Sequence, residues 1–176
     1  MAEWKETDSS SLAALTRDTS TLADAAESMQ SLVETIWRLR QPDGCPWDRE
    51  QTHESIAKNM IEEAYEAVDC IEQNDEVHLR EELGDVLMQV VLHAQIAADA
   101  GAFTMTDVAR DINRKLIRRH PHVFGDDTGA AKDAREVLEI WDSVKLSEKS
   151  DKDSAAVAQG QMPQGLLDGV PRLFPP

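Results

Sequence analysis

The sequence predicts an all-α protein, an antiparallel bundle of about five helices. Apolar residues recur at three- and four-residue spacing through several long segments, which is the periodicity of one face of an α-helix. No segment shows the apolar-polar alternation that is typical of a half-buried strand. The connections between the helical segments are short, and short connections place consecutive long helices side by side in opposite directions.

The first two predicted helices are separated by a loop that contains Pro and Gly. Apolar residues mark the first helix over residues 22–39, and Pro42 and Gly44 end it. The second helix is predicted over about residues 51–72, with Asp48 as its N-cap. The polar residues that follow position 72 end this helix.

The third predicted helix covers about residues 77–100 and ends at Gly101. From Val86 onward it is apolar nearly all round, which is typical of a helix buried on every side. We therefore expect it at the centre of the bundle.

The last two predicted helices lead into a polar, Pro- and Gly-containing end. Thr106 can cap the fourth helix, which must end before Pro121. The fifth covers about residues 132–146. The predicted organisation is a flexible N-terminal tail (residues 1–20), one helical domain (residues 21–146) and a C-terminal linker or tail (residues 147–176).

Composition limits the possible partners. The formal net charge of −16 disfavours nucleic-acid polymers and anionic membranes. It permits a small phosphorylated ligand, because a bound divalent cation can reverse the local sign of charge. Two cysteines, Cys45 and Cys70, are too few for a disulfide framework. No secretory signal or membrane-spanning segment is visible, so we expect a cytoplasmic protein.

Two pairs of carboxylates lie on predicted helix faces that point toward the core. Glu63 and Glu66 are three residues apart on the second helix, and Glu82 and Asp85 are three apart on the third. A lone buried carboxylate costs roughly several kcal/mol, so a cation among the four would resolve their repulsion. Oxygen ligands favour Mg²⁺ or Mn²⁺ over Zn²⁺. The alternative is a solvated acidic face paired with neighbouring Lys and Arg side chains.

The same carboxylates carry a resemblance to a known family. The string EEAYE (62–66), followed sixteen residues later by ELGD (82–85), resembles the EExxE…ExxD signature of MazG-type pyrophosphohydrolases, members of the all-α NTP pyrophosphatase superfamily. The segment 39–52 looks like the GCPWD loop of that family, and 116–124 looks like its RRHPHVF turn. The resemblance spans roughly residues 32–145.

The resemblance implies a fold of the all-α NTP pyrophosphatase type that is completed by dimerisation, as a homodimer or a dimer of dimers. It implies hydrolysis of nucleoside triphosphates to the monophosphate and pyrophosphate, with Mg²⁺ (or Mn²⁺) as cofactor and broad, house-cleaning specificity. A narrower dUTPase-like or dCTPase-like specificity remains open. By motif, Glu62 is the general base, and the metal ligands are Glu63, Glu66, Glu82 and Asp85.

The substrate-binding residues are also carried over by resemblance. Lys115 and Arg119 would contact the triphosphate during catalysis, with Arg118 beside them and Lys145 assisting. An ordinary basic helix end, favourable to the helix dipole, is the alternative. Trp47 and Trp141 are candidates to stack on the base, although a Trp in a helical pattern is more often part of the core. These two tryptophans complete the predicted site.

Other functions were weighed against this one. The main alternative is a catalytically inactive helical module of a tandem MazG-type protein that serves oligomerisation. A ferritin-like di-iron site needs two Glu-x-x-His helices, and the only such spacing joins Glu50 to His53. An HD-type phosphohydrolase needs a His-Asp dipeptide, which the sequence lacks.

Overall fold

Helices account for most of the chain in this computed structural model, which describes residues 19–125, 131 and 133–158. No described residue lies in a β-strand, so the all-α prediction is confirmed. Two short helices add to the five that were predicted. In chain order the helices are α1 (Thr19–Leu39), α2 (Pro46–Glu50), α3 (His53–Gln73), α4 (Glu76–Asp99), α5 (Met105–Arg119), α6 (Pro121–Phe124) and α7 (Ala134–Ala158).

The described residues form two compact units, which divide after Val108. The first unit contains α1 to α4 and the start of α5, and the second contains the rest of α5 together with α6 and α7. Among the described helices, none is both long enough and apolar enough to cross a bilayer.

The core of the first unit surrounds α4. This helix packs against α3 and, less extensively, against α1. The buried cluster takes side chains from all three helices, and Ile56 and Val91 are each only 1% exposed. The prediction that α4 is the central, buried helix is therefore confirmed in this unit. The cluster consists of Ile36, Ile56, Val91, Leu92 and Ile96.

The start of α3 differs from the prediction. Thr52, not Asp48, is its N-cap: the Thr52 hydroxyl accepts a hydrogen bond from the Ser55 amide (3.2 Å), and the Ser55 hydroxyl accepts one from the Thr52 amide (2.9 Å). Asp48 lies inside α2, because Pro46 begins a separate helical turn. This reciprocal cap fixes where the helix that carries Glu63 begins.

The start of α5 also differs from the prediction. Thr104 and Asp107 bond reciprocally, with the Asp107 amide donating to Thr104 Oγ1 (3.3 Å) and the Thr104 amide donating to Asp107 Oδ2 (2.9 Å). The helix begins at Met105. Thr106 was therefore the wrong cap, since it already lies within the first turn.

The turn between α3 and α4 brings these two helices side by side. Asn74 has a φ of 56° and closes α3 in the left-handed conformation, which Asn tolerates better than most residues. Asp75 then caps α4 by accepting a hydrogen bond from the His78 amide (3.1 Å). Since the two helices pack against each other across this short turn, they run antiparallel.

Within the first unit, Arg40 connects the loop that follows α1 to α4. Its side chain is only 8% exposed, and its Nε donates to Asp99 Oδ2 (2.6 Å) on α4. Its Nη1 donates to the carbonyl oxygens of Asp48 and Gln51. Gly44 is required in the same loop, because a Cβ atom there would lie 2.2 Å from the Leu39 carbonyl oxygen.

Two histidines join the start of α3 to α4. The Nδ1 atoms of His53 and His93 are 2.8 Å apart, and the rings are parallel within 4° with centroids 5.2 Å apart. These distances place the rings end to end, joined by one N–H···N hydrogen bond. Burial lowers the pKa of His93, and the neighbouring His53 lowers it further. The pair is therefore stable with at most one proton shared between the facing nitrogens.

The second unit contains a longer last helix than expected. α7 continues to Ala158, so residues 147–158, predicted as linker or tail, are helical. The segment 121–124, predicted as part of a turn, forms the short helix α6. Residues 1–18 and 159–176, which fall in the predicted tails, lie outside the described residues, as does Lys132 at the predicted start of the fifth helix. The predicted domain boundaries remain a prediction.

Candidate metal centre

Three of the four predicted metal ligands converge between α3 and α4. Glu63, Glu66 and Glu82 each offer a carboxylate oxygen, and these oxygens lie within 4.8 Å of one another. The antiparallel packing of the two helices brings Glu82 to the pair on α3. Mg²⁺ takes oxygen ligands at about 2.0–2.1 Å, so modest side-chain rotations are enough for these oxygens to coordinate a shared cation.

Asp85 lies near this group without belonging to it. Burial raises the pKa of Glu63, and the charges of Asp85 and Glu66 raise it further. Burial also raises the pKa of Glu82, again with contributions from Glu66 and Asp85. Asp85 is therefore close enough to repel both carboxylates, although its oxygens are not among the three that converge.

In the described part of the chain, no positive side chain pairs with these carboxylates. Within the described residues, none of the four carboxylates takes part in an ion pair with Lys, Arg or His. The alternative interpretation, an acidic face paired with basic neighbours, therefore lacks its pairing partners in the described structure. Like charges held this close favour a bound cation.

Gln89 contacts the cluster and was missed by sequence reasoning. It is 3% exposed, interacts with the Glu63 carboxylate so as to lower its pKa, and has no partner for its Oε1 atom among the described residues. It lies four residues after Asp85, one helical turn along α4. A polar side chain in the otherwise apolar part of this helix was the available signal.

The other predicted residues of the first unit lie on its surface. Glu62 is exposed beside Glu63, and its charge contributes to the raised pKa of Glu63. Trp47 lies on α2 and is 57% exposed. A cavity of about 400 Å³ in this unit is bordered by Trp37 and Asp99, and none of the predicted site residues lines it.

Two predicted phosphate-binding arginines in the second unit are already engaged. The carboxylate of Glu148 on α7 accepts hydrogen bonds from both side chains. Arg119 Nη2 lies 2.6 Å from Oε2, and Arg118 Nε and Nη2 each lie 2.7 Å from Oε1. The Glu148 side chain is 13% exposed. Hydrogen bonds from Arg119 lower the pKa of Glu148 to about 2, and Arg118 contributes.

The remaining predicted residues of the second unit have separate surroundings. Lys115 is exposed and forms no ion pair within the described residues. Lys145 pairs with Asp142, its Nζ lying 3.3 Å from Oδ1. Trp141 is half-buried and meets the ring of His120 edge-on at 4.9 Å. Of the predicted cations on α5, Lys115 is the one whose charge is available to a ligand.

Comparison with known proteins identifies a family match in the part of the chain that contains these carboxylates. Residues 51–124 match the MazG nucleotide pyrophosphohydrolase domain. This range includes all four predicted metal ligands, together with Glu62, Lys115 and both arginines. Trp47, Trp141 and Lys145 lie outside it.

Individual relatives extend the similarity beyond this domain. The chain is 46% identical over 138 residues to the nucleoside triphosphate pyrophosphohydrolase/pyrophosphatase MazG of Thermotoga maritima, covering 78% of this chain and 52% of that protein. It is 44% identical over 145 residues to the nucleoside triphosphate pyrophosphohydrolase of Escherichia coli K12, covering 82% of this chain and 51% of that protein. The chain thus spans about half the length of these two relatives.

A solved structure shares the fold. The crystal structure of a mazG-related protein from Thermotoga maritima superposes with a TM-score of 0.56 at 26% identity, covering 66% of this chain and 98% of that one. The matches in sequence and structure agree with the described all-α fold. The chain contains a domain of the MazG family.

Proposed function

We propose that this protein hydrolyses nucleoside triphosphates to the monophosphate and pyrophosphate in a Mg²⁺-dependent reaction. The observation that carries the proposal is the convergence of three carboxylates from α3 and α4 within 4.8 Å, with no positive side chain paired to them in the described structure. The names of the relatives supply the reaction class.

Glu63, Glu66 and Glu82 would hold the cation, and Asp85 would add a fourth carboxylate. The donor set fits Mg²⁺ or Mn²⁺, since it consists of hard oxygen ligands without a thiolate. When bound, the ion supplies charge neutralisation at the phosphates and a lower pKa for the attacking water.

Glu62 would act as the general base. In the proposed reaction, a water oxygen bonds to the α-phosphorus, the bond from that phosphorus to the α–β bridging oxygen breaks, and pyrophosphate leaves with the electron pair. Glu62 takes the proton of the attacking water. Its exposed position beside Glu63 leaves its carboxylate accessible to solvent.

Lys115 would bind the triphosphate, because it is exposed and its charge is not engaged within the described residues. Arg119 and Arg118 would join it only when the substrate phosphates replace Glu148 as their partner. Lys145 would assist, and Trp47 or Trp141 would stack on the base. Broad, house-cleaning specificity is part of the proposal.

A second copy of the chain would complete the protein as a homodimer or a dimer of dimers. Val77, Leu83 and Leu87 on α4 are 71%, 53% and 37% exposed, and such apolar surface favours a protein partner. Gly84 lies among them, and a Cβ atom there would meet nothing within 4 Å. A mid-helix Gly costs about 1 kcal/mol relative to Ala, so close approach of a partner would explain it.

Pyrophosphate release from a panel of standard and modified nucleoside triphosphates tests the proposal, with Mg²⁺ and with EDTA in parallel. We expect release only with Mg²⁺, with the monophosphate as co-product in equal amount. A broad rank order across the panel supports house-cleaning specificity, and one dominant substrate contradicts it. A folded protein that releases no pyrophosphate from any triphosphate would instead be an inactive module.

A further inference from the structure

Gln89 is the most deeply buried polar side chain beside the carboxylates. It is 3% exposed on α4, among Val91, Leu92 and other buried apolar residues. Its side chain interacts with the Glu63 carboxylate and lowers the pKa of that group, whereas its Oε1 atom is buried without a partner among the described residues. The oxygen of this amide group is therefore unsatisfied in the described structure.

An unpaired buried acceptor is costly, because the oxygen has lost its hydrogen bonds to water and gained none in return. Rotating the amide does not help, since it would turn the oxygen toward the Glu63 carboxylate, which when ionised only accepts hydrogen bonds. The neighbours Glu66 and Asp85 are acceptors as well when ionised. Only a positive charge or new donors can satisfy this oxygen.

A hydrated cation brings both. Mg²⁺ keeps several of its waters when carboxylates bind it, and those waters are hydrogen-bond donors. Loss of a side chain that orients a metal ligand typically lowers metal affinity about 10- to 100-fold. Gln89 is placed for such a role, because its side chain interacts with the carboxylate of Glu63 and lowers the pKa of that group.

We propose that Gln89 is a positioning residue of the metal centre, which holds Glu63 through its amide nitrogen and satisfies its amide oxygen only when the hydrated cation is present. The inference rests on the proposed metal centre. It assigns a role to a residue outside the predicted ligand set, and it explains why a polar side chain is kept in the apolar part of α4.

The test compares Mn²⁺ affinity, measured by electron paramagnetic resonance without nucleotide, in wild-type protein and in Gln89→Met. Met matches the length of Gln without its polar atoms. We expect the Mn²⁺ Kd to rise about 10- to 100-fold, while the unfolding temperature of the metal-free protein stays equal or rises, because the unpaired acceptor is gone. If Gln89 had a purely structural role, Gln89→Met would lower the unfolding temperature and leave the Mn²⁺ Kd unchanged.

Gln95→Met is the matched control, because Gln95 lies on the same helix and bonds to Asp99 (2.7 Å) away from the carboxylates. We expect it to leave Mn²⁺ affinity unchanged. Gln89→Asn is the second variant, for the case that Gln89→Met does not fold. It keeps the amide but shortens its reach, and we expect it also to weaken Mn²⁺ binding.

The outcomes separate the two proposals. If wild-type protein binds Mn²⁺ and the folded Gln89 variants bind it equally well, the role of Gln89 is overturned and the metal centre stands. If wild-type protein binds no Mn²⁺, the metal centre itself is overturned, and the role of Gln89 falls with it. Weaker binding in the Gln89 variants alone supports the inference.

Discussion

The carboxylates of α3 and α4 and the arginines at the end of α5 differ in whether an opposite charge accompanies them. Glu63, Glu66 and Glu82 converge with no basic partner in the described structure, and the pKa values of Glu63 and Glu82 are raised, mainly by burial. Arg118 and Arg119 share the carboxylate of Glu148, whose pKa falls to about 2.

This difference separates a binding site from a structural contact. When a charge already has a partner within the chain, a ligand must displace that partner before it can bind, and the displaced partner is left unpaired. Charges of one sign held together without a partner destabilise the free protein, and they gain most from a ligand of the opposite sign. By this criterion the carboxylate cluster is the candidate site, and Glu148 fixes the arginines.

Removal of one carboxylate tests the comparison with the largest expected effect. Glu63→Gln should reduce pyrophosphate release by more than the roughly 100-fold that loss of an outer partner of a metal ligand can cause. The charge-matched control is Glu72→Gln, an exposed position on the same helix, which should retain full turnover. Equal turnover in both variants would contradict the site assignment.

Lys115 and Arg118 test the basic side of the comparison. Lys115→Ala should raise the KM for a nucleoside triphosphate roughly 10- to 100-fold, because a charge-assisted contact to phosphate is worth about 1.5–3 kcal/mol. Arg118→Ala should raise KM less, since Glu148 already holds that side chain. Steady-state kinetics at saturating Mg²⁺ measures both, and a larger effect from Arg118 would show that the engaged arginine binds substrate after all.

Replacing Glu148 should have a smaller effect, a change in unfolding temperature that depends on pH. Its folded-state pKa of about 2 lies below its ordinary value of 4.5, so its stabilising contribution is complete above pH 4.5 and declines as pH falls toward 2. Glu148→Gln should lower the unfolding temperature by a few degrees at pH 7. The difference from wild type should vanish near pH 2, and a difference that persists there would exclude this ion pair as its cause.

Replacing a member of the His53–His93 pair should have the smallest effect, a change in how the unfolding temperature depends on pH. Because burial lowers the folded-state pKa of His93 from 6.5, its contribution is complete above pH 6.5 and is lost as pH falls below that value. His93→Phe should flatten this part of the unfolding temperature profile between pH 7 and 5. An unchanged profile would mean that other groups cause the decline.

Local patterns predicted the long helices well. The apolar periodicity of residues 22–39 and the uniformly apolar part of α4 correctly indicated helices and a central position. The caps were wrong at Asp48 and Thr106, because several polar residues in each connection can cap a helix and tertiary packing selects one. The continuation of α7 to Ala158 has no apolar periodicity to predict it.

Local patterns also account for the convergence of three of the predicted carboxylates. Spacing on each helix placed Glu63 with Glu66, and the antiparallel arrangement brought Glu82 to them. Two features depend on contacts between distant parts of the chain, which spacing cannot reveal. One is the ion pair of the arginines with Glu148, which lies about thirty positions further along the chain. The other is the interaction of Gln89 with Glu63.

Thermal unfolding with and without Mg²⁺ tests the central claim most directly. At a Mg²⁺ concentration about 100 times Kd, a cation that binds only the folded state adds about 2.7 kcal/mol of stability, or about 5–10 °C in unfolding temperature. We predict this shift for wild-type protein. For Glu63→Gln we predict a higher unfolding temperature without metal and a much smaller shift with it. Equal shifts in both proteins, or none in wild type, would contradict the carboxylate cluster as a metal centre.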